Sequence, residues 1–288
     1  MTSETCGVSQ FDEDIIMNRY NVLNEKTFKQ FADLIYQEAG IYLAEHKQSL
    51  VSARLGKRMR LLKIDEFDDY YQFVQNDHSK RELIQLLDAI STNVTYFYRE
   101  PKHFETLTSI LQDWVNEGQT RFRLWCAASS TGEEPYSLAL TLAETLPSLR
   151  DARILATDIS NTVLETARKG EYEAKKLETV SRKLIDKHFS LVRNKGAKVY
   201  RVQKQIKEMI QFTWLNLSAP PFPMKGPLDV IFCRNVMIYF DNEVRQRLLD
   251  EMHRLLKPGG YLMVGHAESL SGLMSQFKSV RPSVYEKR

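Results

Sequence analysis

The chain has 288 residues, 43% of them hydrophobic and 27% charged, and carries a formal net charge of +3 at pH 7. This length and composition fit one large or two modest soluble domains, each with a real core. The apolar runs are shorter than a membrane span, which excludes a transmembrane segment, and the N-terminus lacks the basic start and apolar core of a signal peptide.

Residues 11–92 have the pattern of an all-helical domain. Apolar residues recur at helical spacing from Thr27 to Tyr36, and Gly40 fits the end of that helix. Three more helices are predicted over residues 46–63, 67–74 and 81–90.

The segment 91–99 breaks this helical pattern, and Pro101 fits the first turn of the next helix, where a missing N–H costs little. A change of pattern at this point is typical of a domain boundary. We therefore predict a helical N-terminal docking domain over residues 1–92 and a second domain over residues 93–288.

The helix predicted over residues 46–63 is basic. It holds six Lys and Arg residues and no acid, although residues 1–92 as a whole hold 11 Lys+Arg against 15 Asp+Glu. Its apolar residues fall on one face and several of its cations on a neighbouring face. Such a face is either simply solvated or a docking surface for an acidic partner, and the charge pattern leaves both readings open. The candidate docking residues are Arg54, Lys57, Arg58 and Arg60.

Helices and strands alternate after residue 100, which predicts a mostly parallel, doubly wound sheet with helices on both faces. Helices are predicted over residues 101–116, 134–145, 160–169 and 242–256. Strands are predicted over residues 122–126, 152–157, 210–215, 228–233 and 260–265. A last pair of strands, near residues 260–266 and 280–286, fits an antiparallel edge of the sheet.

One interval interrupts this alternation. Residues 189–202 predict two short strands around an Asn-Lys-Gly turn, which is a hairpin. We interpret it as a small inserted antiparallel β-subdomain over about residues 186–208. The surrounding region 168–207 is strongly basic, with 13 Lys+Arg against 4 Asp+Glu, so nucleic acid has to be considered. The hairpin lacks the series of aromatic residues that stacks on bases, which argues against nucleic acid.

The most informative stretch, residues 123–140, predicts a buried strand, a tight loop of small residues and a helix with Pro135 in its first turn. A second strand follows and ends at Asp158. This arrangement is typical of a doubly wound sheet that binds a nucleoside, with the acid accepting hydrogen bonds from ribose hydroxyls. The loop has one glycine, Gly132, rather than the G-x-G-x-x-G of NAD enzymes, which leaves room for another nucleoside cofactor.

The cysteines Cys6, Cys126 and Cys233 are odd in number and scattered, which is typical of reduced thiols in a cytoplasmic protein. The six histidines are also scattered and lack the spacing of metal ligands, so no metal site is predicted.

Four motifs together resemble the CheR family, the chemotaxis receptor glutamate O-methyltransferases, and the resemblance covers nearly the whole chain. The motifs are residues 92–100, 126–139, 229–240 and 265–270. The resemblance implies an α/β protein with an all-helical N-terminal domain and a Rossmann-like S-adenosylmethionine methyltransferase domain that carries the β-subdomain.

The same resemblance implies the cofactor-binding residues. Glu134 and Asp158 would meet the polar groups of S-adenosylmethionine, with Asp158 as the ribose acceptor, and spacing alone does not separate Glu133 from Glu134. The remaining cofactor residues are Asn216 and Leu217 beside the adenine, Arg234 and Asn235 at the methionine end, and Asn93, Thr95 and Arg99 from the linker. Arg99 and Tyr239 are the candidates for positioning the substrate, and Tyr239 is equally well read as a core residue.

The implied reaction is methyl transfer from S-adenosylmethionine to glutamate side chains of methyl-accepting chemoreceptors, giving methyl esters and S-adenosylhomocysteine. A glutamate carboxylate with a reference pKa of about 4.3 is already ionised at neutral pH, so the attack needs no general base. The resemblance also implies that the hairpin holds a C-terminal receptor peptide. We expect a cytoplasmic monomer that is recruited to membrane receptor clusters, without membrane insertion or nucleic acid.

Three rival readings stay open at this point. A nucleic-acid methyltransferase shares the fold, although the aromatic motif typical of amine-directed enzymes is replaced here by Arg234-Asn235-Val236-Met237. A non-catalytic module that senses S-adenosylmethionine is the second. An NAD-dependent oxidoreductase is the third, and the loop with its single glycine argues against it.

Overall fold

A computed structural model describes residues 23–194, 197–268, 270, 272 and 276–288. The predictions that involve Cys6, residues 11–22 and the turn residues Lys195 and Gly196 lie outside this range. The chain divides into two compact units, one containing residues 23–38 and 42–91 and the other containing residues 39–41 and 92–288. Within the described ranges, every helix is too short or too polar to cross a bilayer.

The first unit is all-helical, as its apolar periodicity predicts. It consists of α1 (Glu25–Ala39), a 3₁₀ turn (Glu45–Lys47), α2 (Gln48–Leu62), α3 (Phe67–Asn76) and α4 (Arg81–Ile90). Helix α1 begins where the Asn24 side chain accepts a hydrogen bond from the Thr27 backbone N–H at 2.8 Å. It ends at Gly40, whose φ of +67° is favourable for glycine.

Helices α2, α3 and α4 are joined by a buried polar network as well as by apolar packing. The Arg58 guanidinium donates to both carboxylate oxygens of Glu82, at 2.8 and 2.6 Å. The Tyr70 hydroxyl donates to the same carboxylate at 2.8 Å. Burial and the neighbouring Glu82 charge raise the pKa of Tyr70 far above its ordinary value, so the phenol stays protonated and remains a donor.

The second unit is α/β and contains the predicted alternation of strands and helices. Its helices are α5 (Pro101–Asn116), α6 (Glu133–Thr145), α7 (Asn161–Lys169), α8 (Arg182–His188), α9 (Lys204–Lys207) and α10 (Asn242–Leu255). Its strands are β1 (Phe122–Ala127), β2 (Ala152–Asp158), β3 (Glu171–Tyr172), β4 (Phe189–Asn194), β5 (Ala197–Val202), β6 (Ile210–Trp214), β7 (Leu228–Cys233), β8 (Leu256–Val264), β9 (Phe277–Arg281) and β10 (Val284–Lys287).

Seven strands form one sheet in the order β6-β2-β1-β7-β8-β10-β9. The pairs from β6 to β8 are parallel, and β10 pairs antiparallel with both β8 and β9. The predicted antiparallel edge therefore contains a hairpin, where the sequence pattern predicts one strand over residues 280–286. The hairpin turns at Pro282-Ser283. Ser283 adopts a left-handed φ of +60°, which the sequence pattern does not predict.

Three strands form a separate small sheet in the order β3-β5-β4, with antiparallel pairing throughout. Strands β4 and β5 are the two strands of the predicted insertion. The two-residue strand β3 was not predicted, because a segment that short carries no periodic signal.

The core of this unit lies on both faces of the large sheet, because successive strand residues alternate between faces. In β1, Leu124 and Cys126 belong to one buried cluster, together with apolar residues of α5 and α6. Trp125 and Ala127 belong to another, together with apolar residues of α10. All four side chains are essentially inaccessible to solvent.

The topology decides where a site can lie. The chain leaves β1 toward β2 and β6 and returns to the other side of β1 at β7, so the strand order reverses between β1 and β7. Ligands of open α/β sheets bind outside the carboxyl ends of the strands at such a switch point. The segments that leave β1, β2, β6, β7 and β8 at this edge contain residues 128–132, 158–160, 215–217, 234–239 and 265–268.

Candidate active site at the carboxyl edge of the sheet

The loop after β1 is shaped around the carboxylate of Asp158. The Ser130 backbone N–H donates to one oxygen of Asp158 at 2.8 Å, and the Ser160 backbone N–H donates to the other at 3.0 Å. Ala128, Ser130 and Gly132 all have positive φ, so the loop turns tightly enough to bring its N–H groups toward β2. The carboxylate that the sequence predicts as a ribose acceptor is thereby held in one orientation.

The linker before α5 is fastened to the same loop and to α6. The Ser130 hydroxyl donates to the Asn93 carbonyl at 3.1 Å. The Tyr98 backbone N–H donates to the Ser137 hydroxyl of α6 at 2.9 Å. The Thr179 hydroxyl donates to the Phe97 carbonyl at 2.7 Å. These bonds hold the segment that carries the predicted residues Asn93, Thr95 and Arg99 beside the loop.

Arg234 follows β7, and its side chain is fully buried. Its guanidinium lies 3.1 Å from a carboxylate oxygen of Glu100 and 3.0 Å from one of Glu134. It also donates to the Arg99 carbonyl at 2.6 Å. The side chain of Arg234 has no solvent exposure, and the ion pairs therefore lie in a poorly screened environment.

The two carboxylates respond differently to this guanidinium. Burial acts to raise the pKa of Glu100, but Arg234 and the His266 backbone N–H outweigh it and leave the pKa below its ordinary value. Burial raises the pKa of Glu134 above its ordinary value, although Arg234 and the Cys126 thiol oppose the rise. Glu134 is thus the less readily ionised member of the pair.

The structure separates Glu133 from Glu134, which spacing alone did not. Glu133 is fully buried and accepts hydrogen bonds from the Thr131 hydroxyl at 2.6 Å and the Lys176 ammonium at 2.8 Å. Glu134 instead lies beside Arg234 and accepts a hydrogen bond from the Cys126 thiol at 3.3 Å. Of the two acids, Glu134 lies in the cluster at the sheet edge.

Arg99 is partly exposed. Its guanidinium donates to the Val94 carbonyl at 3.0 Å and lies 5.6 Å from the centroid of the Tyr96 ring. Cation–π contact of this kind restrains a long side chain without neutralising its charge. Val94 and Tyr96 are themselves exposed apolar residues, so Arg99 sits among side chains that a second molecule can contact.

Asn216 and Leu217 follow β6 as predicted. The Asn216 carboxamide accepts hydrogen bonds from the backbone N–H and the hydroxyl of Ser218, at 3.0 and 2.8 Å, and so closes a turn. Leu217 is buried in the cluster that includes residues of α10. The structure brings these residues to the same edge of the sheet as Asp158.

Asn235 and Tyr239 lie on a segment organised by Glu268, for which the sequence pattern predicts no individual role. Glu268 is 6% exposed, and its carboxylate accepts hydrogen bonds from four backbone N–H groups. Burial raises the pKa of Glu268, and the backbone donors oppose that rise. Its place in the 265–270 motif could be read from the sequence. Its hydrogen bonds to backbone N–H groups could not, because such bonds produce no periodic sequence pattern. Tyr239 is partly buried at the end of the 3₁₀ turn Met237–Tyr239.

Glu100, His103 and His266 form a cluster whose ligand atoms lie within 4.8 Å of one another. His103 is 1% exposed, and burial together with the nearby Arg234 charge lowers its pKa to about 4, so its imidazole is neutral at pH 7. The guanidinium 3.1 Å from Glu100 opposes any second cation there, since like charges at such distances repel. We therefore attribute no metal site to this cluster.

The four predicted docking cations of α2 belong to the first unit and differ in exposure. Arg58 is paired with Glu82, and Arg54 donates to the Ile90 carbonyl. Lys57 and Arg60 are exposed on the helix surface. Arg54 and Arg58 are thus engaged inside the helical unit.

The residues at the sheet edge fit S-adenosylmethionine on their own chemistry. Asp158 offers acceptors of the kind that ribose hydroxyls need, and a carboxylate oxygen accepts more than one hydrogen bond. The hydroxyl of Ser129, 1% exposed, has no protein partner in the loop, which is consistent with a polar ligand beside it. The acids Asp158, Glu134 and Glu100 outnumber the buried Arg234, which suits a positively charged sulfonium compound.

Two family models match the chain. Residues 93–285 match the family model described as the CheR methyltransferase SAM binding domain, and residues 26–91 match the CheR methyltransferase all-alpha domain.

Curated relatives align over nearly the full chain. A chemotaxis protein methyltransferase of Salmonella typhimurium is 37% identical over 270 residues, which cover 93% of this chain and 92% of the relative. The Escherichia coli protein of the same name is 38% identical, covering 91% of both chains, and that of Borreliella burgdorferi is 34% identical, covering 94% and 98%. The chain therefore belongs to the CheR methyltransferase family, and its second unit is an S-adenosylmethionine-binding methyltransferase domain.

Proposed function

We propose that the protein transfers a methyl group from S-adenosylmethionine to glutamate side-chain carboxylates of chemoreceptors, forming glutamate methyl esters and S-adenosylhomocysteine. The observation that carries this proposal is the oriented carboxylate of Asp158 at the switch point, in a chain that belongs to the CheR family. The relatives named above are chemotaxis methyltransferases, which supplies the substrate class.

The roles of the cofactor-binding residues follow from their chemistry. Asp158 accepts from the ribose hydroxyls, and Asn216 and Leu217 border the adenine. Glu134, Arg234 and Asn235 line the methionine end, where Arg234 is already paired with Glu134 and Glu100. Asn93, Thr95 and Arg99 close the site from the linker. The bound cofactor supplies an electrophilic methyl group on a sulfonium centre.

The chain's own task in the reaction is positioning. The substrate carboxylate is ionised at neutral pH and needs no base to remove a proton. Arg99 orients that carboxylate through a charge-assisted hydrogen bond, and Tyr239 limits its movement. Alignment and exclusion of water reduce the barrier by up to about 7–11 kcal/mol in favourable systems. No metal is required for any of these steps.

Recognition of the receptor is assigned to two surfaces. The basic face of α2, with Lys57 and Arg60 exposed, fits the acidic helices on which methylated glutamates lie. Strand β4 lies at one edge of the small sheet and accepts a C-terminal receptor peptide as an added strand. Such tethering raises the local concentration of a cytoplasmic, monomeric enzyme at membrane receptor clusters.

The proposal is tested with purified protein, tritiated S-adenosylmethionine and membranes that contain chemoreceptors. Base-labile label on the receptor band is the expected result, because carboxyl methyl esters are hydrolysed by base. Two variants serve as controls for the site. Asp158→Ala is expected to lose cofactor binding, and Arg99→Ala is expected to keep the fold but lose methyl transfer.

Other outcomes would assign this protein a different function. Label that appears only on RNA or DNA would establish a nucleic-acid methyltransferase. Cofactor binding without label on any receptor, when receptors from a competent strain are methylated by a control enzyme, would establish a sensor module.

A further inference from the structure

A single buried carboxylate gathers the backbone of two loops at the catalytic edge of the sheet. One oxygen of Glu268 accepts the N–H of Asn235 at 2.8 Å and that of Gly265 at 2.6 Å. The other accepts the N–H of Val236 at 2.8 Å and that of Met237 at 2.7 Å. The loop after β7 is thus bound to the loop after β8 through one side chain.

The segment held in this way has an unusual backbone. Asn235 has a left-handed φ of +58°, a conformation that asparagine tolerates better than most residues other than glycine. The three consecutive N–H groups of 235–237 converge on the carboxylate, and the 3₁₀ turn Met237–Tyr239 begins within them. The bonds from Glu268 offset the cost of the left-handed residue and fix where the turn starts.

The two loops also leave no space for adjustment. A Cβ atom added to Gly265 would lie 2.5 Å from the Asn235 carboxamide nitrogen and 2.8 Å from a Glu268 oxygen. The same Asn235 carboxamide nitrogen lies 3.5 Å from an oxygen of Glu100, the partner of Arg234. A shift of the 235–237 backbone would therefore be transmitted to the buried ion pairs.

We propose that Glu268 is a positioning residue for methyl transfer, which fixes the 235–239 segment so that Asn235 and Tyr239 present their side chains to the cofactor and substrate. This inference rests on the function proposed above. Glu268 itself touches neither reactant and acts through the backbone that it holds.

The chemistry of the site requires a carboxylate at this position. Four N–H groups converge on two oxygens, and an ionised carboxylate has acceptors on both. In Glu268→Gln, the amide nitrogen would face two N–H donors, so two of the four bonds would be replaced by donor–donor contacts. Glu268→Asp retains both acceptors on a shorter side chain and is the conservative comparison.

The experiment measures cofactor affinity by calorimetry and receptor methylation by kcat and KM. We expect Glu268→Gln to raise the Kd for S-adenosylmethionine about tenfold and to lower kcat by about 100-fold, as expected for a displacement of about 1 Å at a reacting centre. We expect Glu268→Asp to recover most of both losses. We also expect the effects of Glu268→Gln and Asn235→Ala on kcat and Kd to be less than additive when both are combined in one protein, since both act on the same segment.

The matched control is Asp229→Asn at the amino end of the same strand, β7. Asp229 is 7% exposed and accepts the Arg123 backbone N–H at 2.6 Å, so its loss also breaks a buried carboxylate–backbone bond. It should lower the unfolding temperature while leaving kcat and Kd within about twofold of the wild type. Should Glu268→Gln fail to fold, the same comparison is made with Glu268→Asp, which is then expected to show an intermediate loss of kcat.

Two results would overturn the inference: unchanged Kd and kcat in folded Glu268→Gln, or an equal loss of kcat in Asp229→Asn at the same unfolding temperature. Because the calorimetric arm needs no receptor, it decides the role of Glu268 even if the wild-type protein labels no receptor. A wild-type protein that labels no receptor would contradict only the proposed function.

Discussion

The helical unit and the carboxyl edge of the sheet each contain an arginine that the sequence marks as a binding residue, and they use it differently. Arg58 pairs with one carboxylate, and 23% of its side chain remains exposed. Arg234 has no exposure and lies between two carboxylates. Both arginines are occupied by intramolecular ion pairs, but only the one at the sheet edge is sealed from water.

This difference shows how charge serves recognition in each region. On α2, the paired Arg58 anchors the helix, and exposed neighbours such as Lys57 are left to meet a partner in water, where charge mainly steers association. At the sheet edge, the buried charges are already held in ion pairs before any ligand arrives. Such preorganised charges act strongly because the surroundings do not have to reorient.

The sharpest test of the comparison is Arg234→Met, which leaves Glu100 and Glu134 buried without their cation. Breaking a buried pair in this way costs about 3–5 kcal/mol, so we expect a loss of that size in the free energy of unfolding. The three tryptophans, Trp114, Trp125 and Trp214, all lie in the second unit, so tryptophan fluorescence in urea reports on it directly.

Neutralising the two acids together with Arg234 is the matching control. The triple variant Arg234→Met, Glu100→Gln, Glu134→Gln should recover part of the lost stability, because no unpaired buried charge remains. A loss below about 1 kcal/mol for Arg234→Met alone would show that the edge is as hydrated as the surface of α2.

The sheet edge should also respond to acid through His103. Its folded-state pKa of about 4 lies below the ordinary value of 6.5, so its contribution to stability is present above pH 6.5 and is lost as the pH falls toward 4. The unfolding free energy of the wild type should fall between about pH 7 and pH 5. In His103→Leu we expect that fall to be smaller by about 2 kcal/mol.

The measurement is urea unfolding at both pH values, followed by tryptophan fluorescence. The exposed variant His78→Asn in the helical unit serves as the control and should follow the wild type. Equal acid sensitivity of His103→Leu and the wild type would count against a neutral buried imidazole at the sheet edge.

In the helical unit, Arg58→Met should have a smaller effect. The guanidinium makes two charge-assisted hydrogen bonds to Glu82, but partial exposure screens them. We expect a loss of about 1–2 kcal/mol in the unfolding free energy, followed by far-ultraviolet circular dichroism. The adjacent exposed Lys57→Met should change stability by less than about 0.5 kcal/mol. If both variants behave alike, the Arg58–Glu82 pair contributes nothing that an exposed lysine does not.

The smallest effect on stability is expected for Lys57→Glu with Arg60→Glu, although this change should have a clear functional effect. Reversing two charges on α2 should slow receptor methylation several-fold at low salt, with less effect as salt rises, and leave cofactor affinity unchanged. The charge-matched control is Lys26→Glu with Lys29→Glu on α1, where both lysines are also exposed. Equal slowing by the two pairs would indicate a general charge effect and no specific docking face.

Much of the fold was predictable because it is encoded in periodicity and local turn chemistry. The apolar spacing of residues 27–36 and the glycine at position 40 predicted α1, and the structure has it over Glu25–Ala39. The alternation after residue 100 predicted the mixed sheet of the second unit. Strand β3 and the β9–β10 hairpin were missed, because two-residue strands and a left-handed Ser283 carry little signal.

The arrangement of the site could be predicted less well from the sequence, for a physical reason. Motif position places Asp158 and Arg234 at strand ends, but partners far apart in the chain are chosen by tertiary packing. The pairing of Arg234 with Glu100 spans 134 positions of sequence. The four backbone bonds of Glu268 likewise depend on β7 and β8 being neighbours, which composition and spacing do not specify.

The buried trio of Glu100, Arg234 and Glu134 has a consequence for how this protein can change over evolutionary time. One guanidinium serves both carboxylates, so substitution of Arg234 leaves two acids without their cation, whereas substitution of either acid leaves one ion pair in place. Arg234 is therefore the position of the trio at which a single substitution costs most. Lineages that alter Arg234 are expected to have altered the acids as well, whereas either acid can be replaced alone.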